Sequence, residues 1–311
     1  MIEDKTIIVK RGGVRLDAAL FDMFPSSSKA FVRQAIDRGA ITVDSRRSAK
    51  GLKLRGGEKI RIECLLEQSD NLVRPSPGPL KCVFEDAELL AFDKTAGQPV
   101  QPLSCEETGT LMNAVVARYP ECRELGDIPL MAGALHRIDA DTSGLVIVAR
   151  NATAFGNLRR QFAEQSVRKT YLALVEGRIT AGGSLENDLI HDPTAPCCRM
   201  VDARRNRLTL AQRERQRPLR AVTRFNPIAH TTRENEERTL LEVVIRTGVT
   251  HQIRAQLAIA GMHIINDRLY GAFAVENQRG HCLHALSAAF LHPSSGAETE
   301  IRTQYPDWAR F

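Results

Sequence analysis

Aromatic side chains are scarce in this 311-residue chain: they make up 5% of it, with one Trp and four Tyr. Nowhere does an apolar run approach the ~18–20 residues that a membrane-spanning helix needs. The opening MIEDKTIIVKRGG has no apolar core of the kind a secretory leader carries, so none is expected. Seven cysteines are irregularly spaced and no C-x-x-C pair occurs, which excludes a disulfide framework and points to free thiols in a reducing compartment, the cytoplasm. A G-x-G-x-x-G fingerprint, a phosphate-binding P-loop and a G-x-S-x-G elbow are all missing. Nucleotide-cofactor and serine-hydrolase readings lose their support with them. His281-Cys282-Leu283-His284 could be drawn as a metal clip, but no second ligand pair stands nearby in the sequence. No long internal repeat occurs.

What is present is an ordinary globular composition, 43% hydrophobic and 26% charged, with a net charge of +6. The excess is uneven. Residues 1–75 hold 15 basic and 10 acidic side chains, a net of +5, and the remainder is nearly balanced. Within that remainder Arg199–Arg224 carries nine Arg against Asp202 and Glu214. Two separate basic zones suit a polyanionic partner, and Arg suits bidentate phosphate contact. A solvated surface would carry the same charges.

The clearest boundary is LEQSDNLVRPSPGPL at 66–80, where Pro75, Pro77 and Pro79 forbid helix and remove ladder donors. It separates a small domain at 13–65 from a larger one at 81–311. In the first, Leu16, Leu20 and Met23 repeat at helical spacing and Pro25 ends that helix. Ser26–Ser28 can cap a second helix with Phe31, Ala35 and Ile36 inward and Lys29, Arg33 and Arg38 outward. Gly39 stops it, Ile41–Val43 alternates as a strand, and Lys59–Ile62 forms another after Gly56-Gly57. So small a unit buries little and reads as a binding module. In the second domain Phe84–Phe92 reads as a hairpin, Leu145–Ala149 as a buried strand, and Asn151 as the cap of a helix carrying Ala154, Leu158 and Phe162. Tyr171–Glu176 and Thr239–Arg246 read as strands, and Thr250 as the opening of a helix that ends at Gly261. The fold class is α+β, with a mostly antiparallel mixed sheet.

The chemistry concentrates in LHRIDADTSGLVIVAR, 135–150. Asp139 stands between His136-Arg137 and a turn that leads straight into a buried strand, a place where a carboxylate is held rigidly. The same residues could simply cap the turn and pair Asp139 with Arg137. DTSG also approaches the aspartic-protease loop, but an extra residue intervenes and a second copy would be needed.

This segment resembles the H-R-L-D-x-x-T-S-G-L signature of the RluA-type pseudouridine synthases. DKTAGQPVQP (93–102), KTYLALVEG (169–177) and RTGVTHQIRAQLAIAGMHIINDRLYG (246–271) follow in the order of that family's other segments, and HCLHA (281–285) is a weaker match. The small domain is similar to the RNA-binding domain of ribosomal protein S-four, through VRLDAAL (14–20), Ser28-Lys29, AIDRGAITV (35–43) and LRGGEKIRI (54–62). Asp44-Ser45 replaces its usual Asn-Gly turn, and Glu58 its usual Asp. The resemblance implies conversion of uridine to pseudouridine in RNA, without cofactor or metal. It implies Asp139, Tyr171 and Arg254 as catalytic residues. His136, Arg137, Thr142, Arg204, Arg205 and Arg207 would contact RNA, as would Lys29 and Arg33 in the small domain. RAVTRF (220–225) resembles a family segment near the RNA surface, and the Arg-rich stretch would form a phosphate-contacting arm. Large-subunit ribosomal RNA is the expected substrate and a monomer the expected state. Transfer RNA as substrate, or an RNA-binding chaperone that has lost catalysis, are the alternatives. Departures from the family pattern stand at Thr95 for Pro, Gln101 for His, Ile138 for Leu, Val249 for Arg or Lys, and Gln256 for His.

Overall fold

A computed structural model describes all residues except 1, 11, 28, 66, 68–70, 196–197, 205–216, 234–235, 273–279 and 311. It divides the chain into two compact units. The first is Met1–Arg74 with the short pieces Leu103–Glu107 and Asp127–Leu130, and the second is the rest.

The first unit begins before the expected residue 13. Strand β1 (Ile2–Ile8) pairs antiparallel with β4 (Lys59–Leu65), which also pairs with β2 (Ile41–Val43), and β3 (Arg46–Arg47) completes the order β1-β4-β2-β3. IEDKTII carries its charges in the middle and shows no period-2 alternation, because an edge strand faces water along most of its length. Helices α1 (Leu16–Met23) and α2 (Lys29–Arg38) follow the expected spans. One inward position shifts on α2: Val32 is buried with Ala35 and Ile36, whereas Phe31 is half-buried. The i, i+3, i+4 stripe explains the shift, and Phe31 flanks it. Met23 is partly exposed, so the α1 stripe ends at Leu20. With Leu16, Leu20, Val32, Ile36, Ile41, Ile60 and Ile62 packed together, the unit has a core of its own, larger than its length suggested.

Asp44 and Ser45 both have positive φ, 48° and 62°, between the paired residues Val43 and Arg46. Positive φ at both central residues marks the mirror-image hairpin turn that Asn-Gly normally fills. Asp44 supports it by donating its backbone N–H to the Lys59 carbonyl at 2.8 Å and accepting the Lys59 N–H on Oδ1 at 2.9 Å. Among the described residues nothing comparable supports Ser45. Ser45→Gly removes a left-handed cost but loosens the unfolded chain, and a net gain of ~0.5–1 kcal/mol is expected as a higher urea midpoint.

The second unit is built on one sheet. Its strands are β5 (Cys82–Glu85), β6 (Leu89–Lys94), β7 (Ser143–Ala149), β8 (Arg168–Glu176), β9 (Gly183–His191), β10 (Met200–Asp202), β11 (Leu219–Arg233), β12 (Glu236–Ile245), β13 (Leu283–Leu291) and β14 (Glu298–Arg302). The order is β10-β9-β11-β12-β8-β13-β7-β6-β5, with β14 beside β13. Every described pairing is antiparallel except β13 with β7, so the mixed, mostly antiparallel sheet is as expected. Helices α3 (Leu111–Arg118), α4 (Ala152–Ala163) and α5 (Gln252–Ile259) belong to it. Asn151 caps α4 by accepting the Ala154 N–H at 2.8 Å.

Two details place the centre of the sheet. Gly144, at φ 108°, lies where β7 meets β13, and a Cβ there would run into the Ala285 backbone. Only glycine permits that approach. Tyr171 on β8 lies opposite Ala285 on one side and Val243 on the other.

Candidate active site

Asp139 sits on a turn just before β7, closed by the Thr142 N–H donating to the Asp139 carbonyl at 3.1 Å. Three buried devices hold this turn. Lys94, 1% exposed at the end of β6, donates its three N–H groups to the carbonyls of Thr95, Gln98 and Ala140 at 2.7–2.8 Å. Burial pulls its pKa down to about 8, against the nearby charges of Asp141 and Asp139. Thr142 Oγ1 pairs with His281 Nε2 at 2.7 Å. Ser143 Oγ pairs with His284 Nδ1 at 2.8 Å, and His284 Nε2 with Thr303 Oγ1. Burial lowers both histidines to about 4, so they work as neutral clamps. The HCLH segment therefore fastens the turn to β13, and among the described residues no cluster could hold a metal.

Arg254 reaches the carboxylate from α5. Its Nη1 donates to Asp139 Oδ2 at 2.6 Å, while Nε and Nη2 grip Asp267 at 2.6 and 2.8 Å. The guanidinium is 8% exposed and the Asp267 side chain 2%. Burial opposes the Arg254 charge, but Asp267 and Asp139 outweigh it and raise its pKa. The result is a planar fork that fixes one oxygen of Asp139. The helix does not open at Thr250. His251 adopts a left-handed conformation, φ 51°, and α5 begins at Gln252. This bend brings His251 Nε2 to 3.7 Å from Asp139 Oδ1.

The helix is stitched to the sheet by two glutamines. Gln252 Nε2 donates to Val222 O and Thr223 Oγ1, and Gln256 Nε2 to Leu185 O, Asn187 Oδ1 and Ala221 O. Gln256 accepts the Thr223 hydroxyl at 2.7 Å, which explains a fully buried amide in place of His. Val249, in place of a cation, packs against an apolar cluster of Leu189, Met200, Ala221, Ala255 and Tyr270. Nothing in the structure explains Gln101.

These elements surround a cleft of about 670 Å³. Asp139, Tyr171, Arg254, His136, Arg137 and Thr142 all line it, with His251 and Lys169. Tyr171 is 8% exposed, and burial, then the Asp139 charge, pushes its pKa up. The hydroxyl stays protonated at neutral pH. Arg137 is exposed. His136 stacks on Phe162 with centroids 5.3 Å apart and accepts the Ile147 N–H on Nε2. Burial lowers it to about 3, so it enters the cleft wall as a neutral ring. Thr142 lines the cleft but is 2% exposed, and its hydroxyl pairs with His281.

The remaining expected residues lie elsewhere. Lys29 and Arg33 are exposed on α2 of the first unit, Arg33 3.9 Å from Asp17. Arg204 does not line the cleft and pairs with Asp188 at 2.9 Å. Arg205 and Arg207 fall outside the described residues, as does the rest of 205–216. Lys94, Lys169, His251 and Asp267 went unnoticed in the sequence. The family-like segments contain them, but isolated charges carry no periodicity.

A family model described as RNA pseudouridylate synthase matches residues 88–259. "Ribosomal large subunit pseudouridine synthase D" of Xanthomonas campestris is 33% identical over 95% of this chain and 86% of its own. The Nitrosomonas europaea protein of the same name is 32% identical over 95% and 82%. Among solved structures, human RNA pseudouridylate synthase domain containing 1 shares the fold, with a TM-score of 0.59 and 23% identity over 74% of this chain and 86% of that one. No described helix is long and apolar enough to cross a membrane. The chain belongs to the RNA pseudouridylate synthase family, whose members isomerise uridine in RNA to pseudouridine.

Proposed function

We propose that this protein isomerises uridine in large-subunit ribosomal RNA, with Asp139 as the reacting carboxylate, Arg254 as its partner and Tyr171 against the base. One observation carries the reading: Arg254 holds Asp139 Oδ2 at 2.6 Å in a cleft that Tyr171 also lines. The reaction breaks the N1–C1′ bond, turns the base and joins C5 to C1′. C5 loses a proton and N1 gains one, so no atom is imported and no electron is exchanged. A carboxylate suffices, either by bonding to the sugar or by taking a sugar proton. The relatives' names support the ribosomal substrate.

Around that centre Arg137, Arg159, Lys169, Arg220 and Arg246 give the cleft a cationic lining for phosphates. The first unit, with α1 and α2, serves as an RNA-binding domain, and the second carries the catalysis. The enzyme works in the cytoplasm as a monomer.

Lys169 gives a pH test. Burial brings its ammonium down to about 8, and among the described residues Nζ donates to Thr247 O at 2.9 Å. Deprotonation removes a cation, so RNA binding weakens as pH rises. Between pH 7 and 9 the dissociation constant should increase by up to about tenfold. Lys169→Met should flatten this rise in a filter-binding titration.

The substrate is tested by tritium release from C5-labelled uridine, offered in large-subunit ribosomal RNA and in transfer RNA. Release from ribosomal RNA alone is expected. Release from transfer RNA alone would overturn the ribosomal assignment, and release from neither would support a binding protein without catalysis.

A further inference from the structure

We propose that Tyr270 and His251 form a proton-ordered relay that presents a neutral Nε2–H to Asp139, making His251 a positioning residue for the reacting carboxylate. The inference rests on the assignment of Asp139 above.

The order of protons follows from one fixed donor. The Met200 backbone N–H is buried and donates to the Tyr270 hydroxyl oxygen at 2.8 Å. An amide can only donate, so the phenol accepts there and keeps its own proton for another partner. His251 Nδ1 lies 3.2 Å away. Among the described residues no other acceptor for that proton is found. Nδ1 therefore accepts, and a neutral ring must carry its proton on Nε2, the atom that faces Asp139 Oδ1.

The surroundings favour this state. The His251 side chain is 14% exposed, and its ring meets that of Tyr270 edge-on, with centroids 5.9 Å apart. Burial lowers its pKa; Asp139 and Asp267 oppose this, and Arg254 and His191 reinforce it. Burial also raises Tyr270 to about 12, so the phenol keeps its proton. The left-handed backbone at His251 sets the ring in this place.

The geometry divides the carboxylate. Arg254 occupies Oδ2, and the neutral donor faces Oδ1 across 3.7 Å, beyond hydrogen-bond length. A small rotation of the carboxylate closes the gap. His251 then steadies Oδ1 without adding a second cation beside Arg254.

The test is long-range proton–nitrogen correlation on the full chain with 15N-labelled histidine at pH 7.5. The His251 signals are identified by their loss in His251→Asn, since Asn tolerates a left-handed backbone. The expected spectrum shows the Nε2–H tautomer, converted to a mixture in Tyr270→Phe. An Nδ1–H tautomer or a doubly protonated ring in the unsubstituted protein would overturn the relay. In turnover, His251→Asn should lower kcat about tenfold or more at unchanged KM. An unchanged kcat would overturn the positioning role, even with the expected tautomer. Failure of the Asp139 assignment shows separately, as activity retained in Asp139→Asn.

Discussion

Asp139→Asn should reduce turnover by about 10⁴-fold or more while leaving RNA affinity within about twofold. The side chains are nearly isosteric. The amide oxygen can still accept from Arg254 Nη1, and the backbone bond from Thr142 to the Asp139 carbonyl is untouched. Asp267 remains as the counter-charge of Arg254, so no buried cation is orphaned. What disappears is the anionic oxygen, which neither bonds to the sugar nor takes its proton once it is an amide. Unfolding curves and filter binding should superimpose on those of the unsubstituted protein while tritium release vanishes. A large loss of stability would mean that the charge holds the turn, contrary to the part assigned here to Lys94, His281 and His284.

Arg254→Met should lower stability by about 3–5 kcal/mol as well as abolish turnover. The cost comes from Asp267, 2% exposed, which loses both charge-assisted bonds and has no solvent to replace them. Arg254→Lys should not restore function, because a single ammonium cannot grip Asp267 twice and Asp139 once in one plane. Adding Asp267→Asn to Arg254→Met should recover part of the loss, since the stranded charge is then gone. Urea unfolding of the two single variants and the double variant measures that recovery. Additive losses would show that Asp267 is not what Arg254 neutralises.

The parts of this architecture that repeat locally were readable in the sequence. Asn151 before an apolar stripe announced α4, and Tyr171–Glu176 announced the core of β8. The ordered segments carried the family, and through it Asp139, Tyr171 and Arg254. What escaped was either non-periodic or non-local. β1 is an edge strand whose outward charges hide its alternation. The bend at His251 is a left-handed residue without glycine, so nothing marked it and the helix start was placed too early. Arg254 meets Asp139 across 115 residues of chain, and its firmer partner, Asp267, was never singled out. Lys94 looks in sequence like a surface lysine, yet three carbonyls enclose it. Thr142 pairs its hydroxyl with His281, 139 residues away, a contact that no local pattern reports. Local patterns report what faces a core, whereas buried polar partners are set by tertiary closure.

The most direct test of the central claim is nucleoside chromatography of large-subunit ribosomal RNA after incubation with the purified protein or its Asp139→Asn variant. The account predicts pseudouridine formed at uridine's expense by the unsubstituted protein and none by the variant, at equal RNA occupancy. Equal pseudouridine yields from both proteins would contradict it.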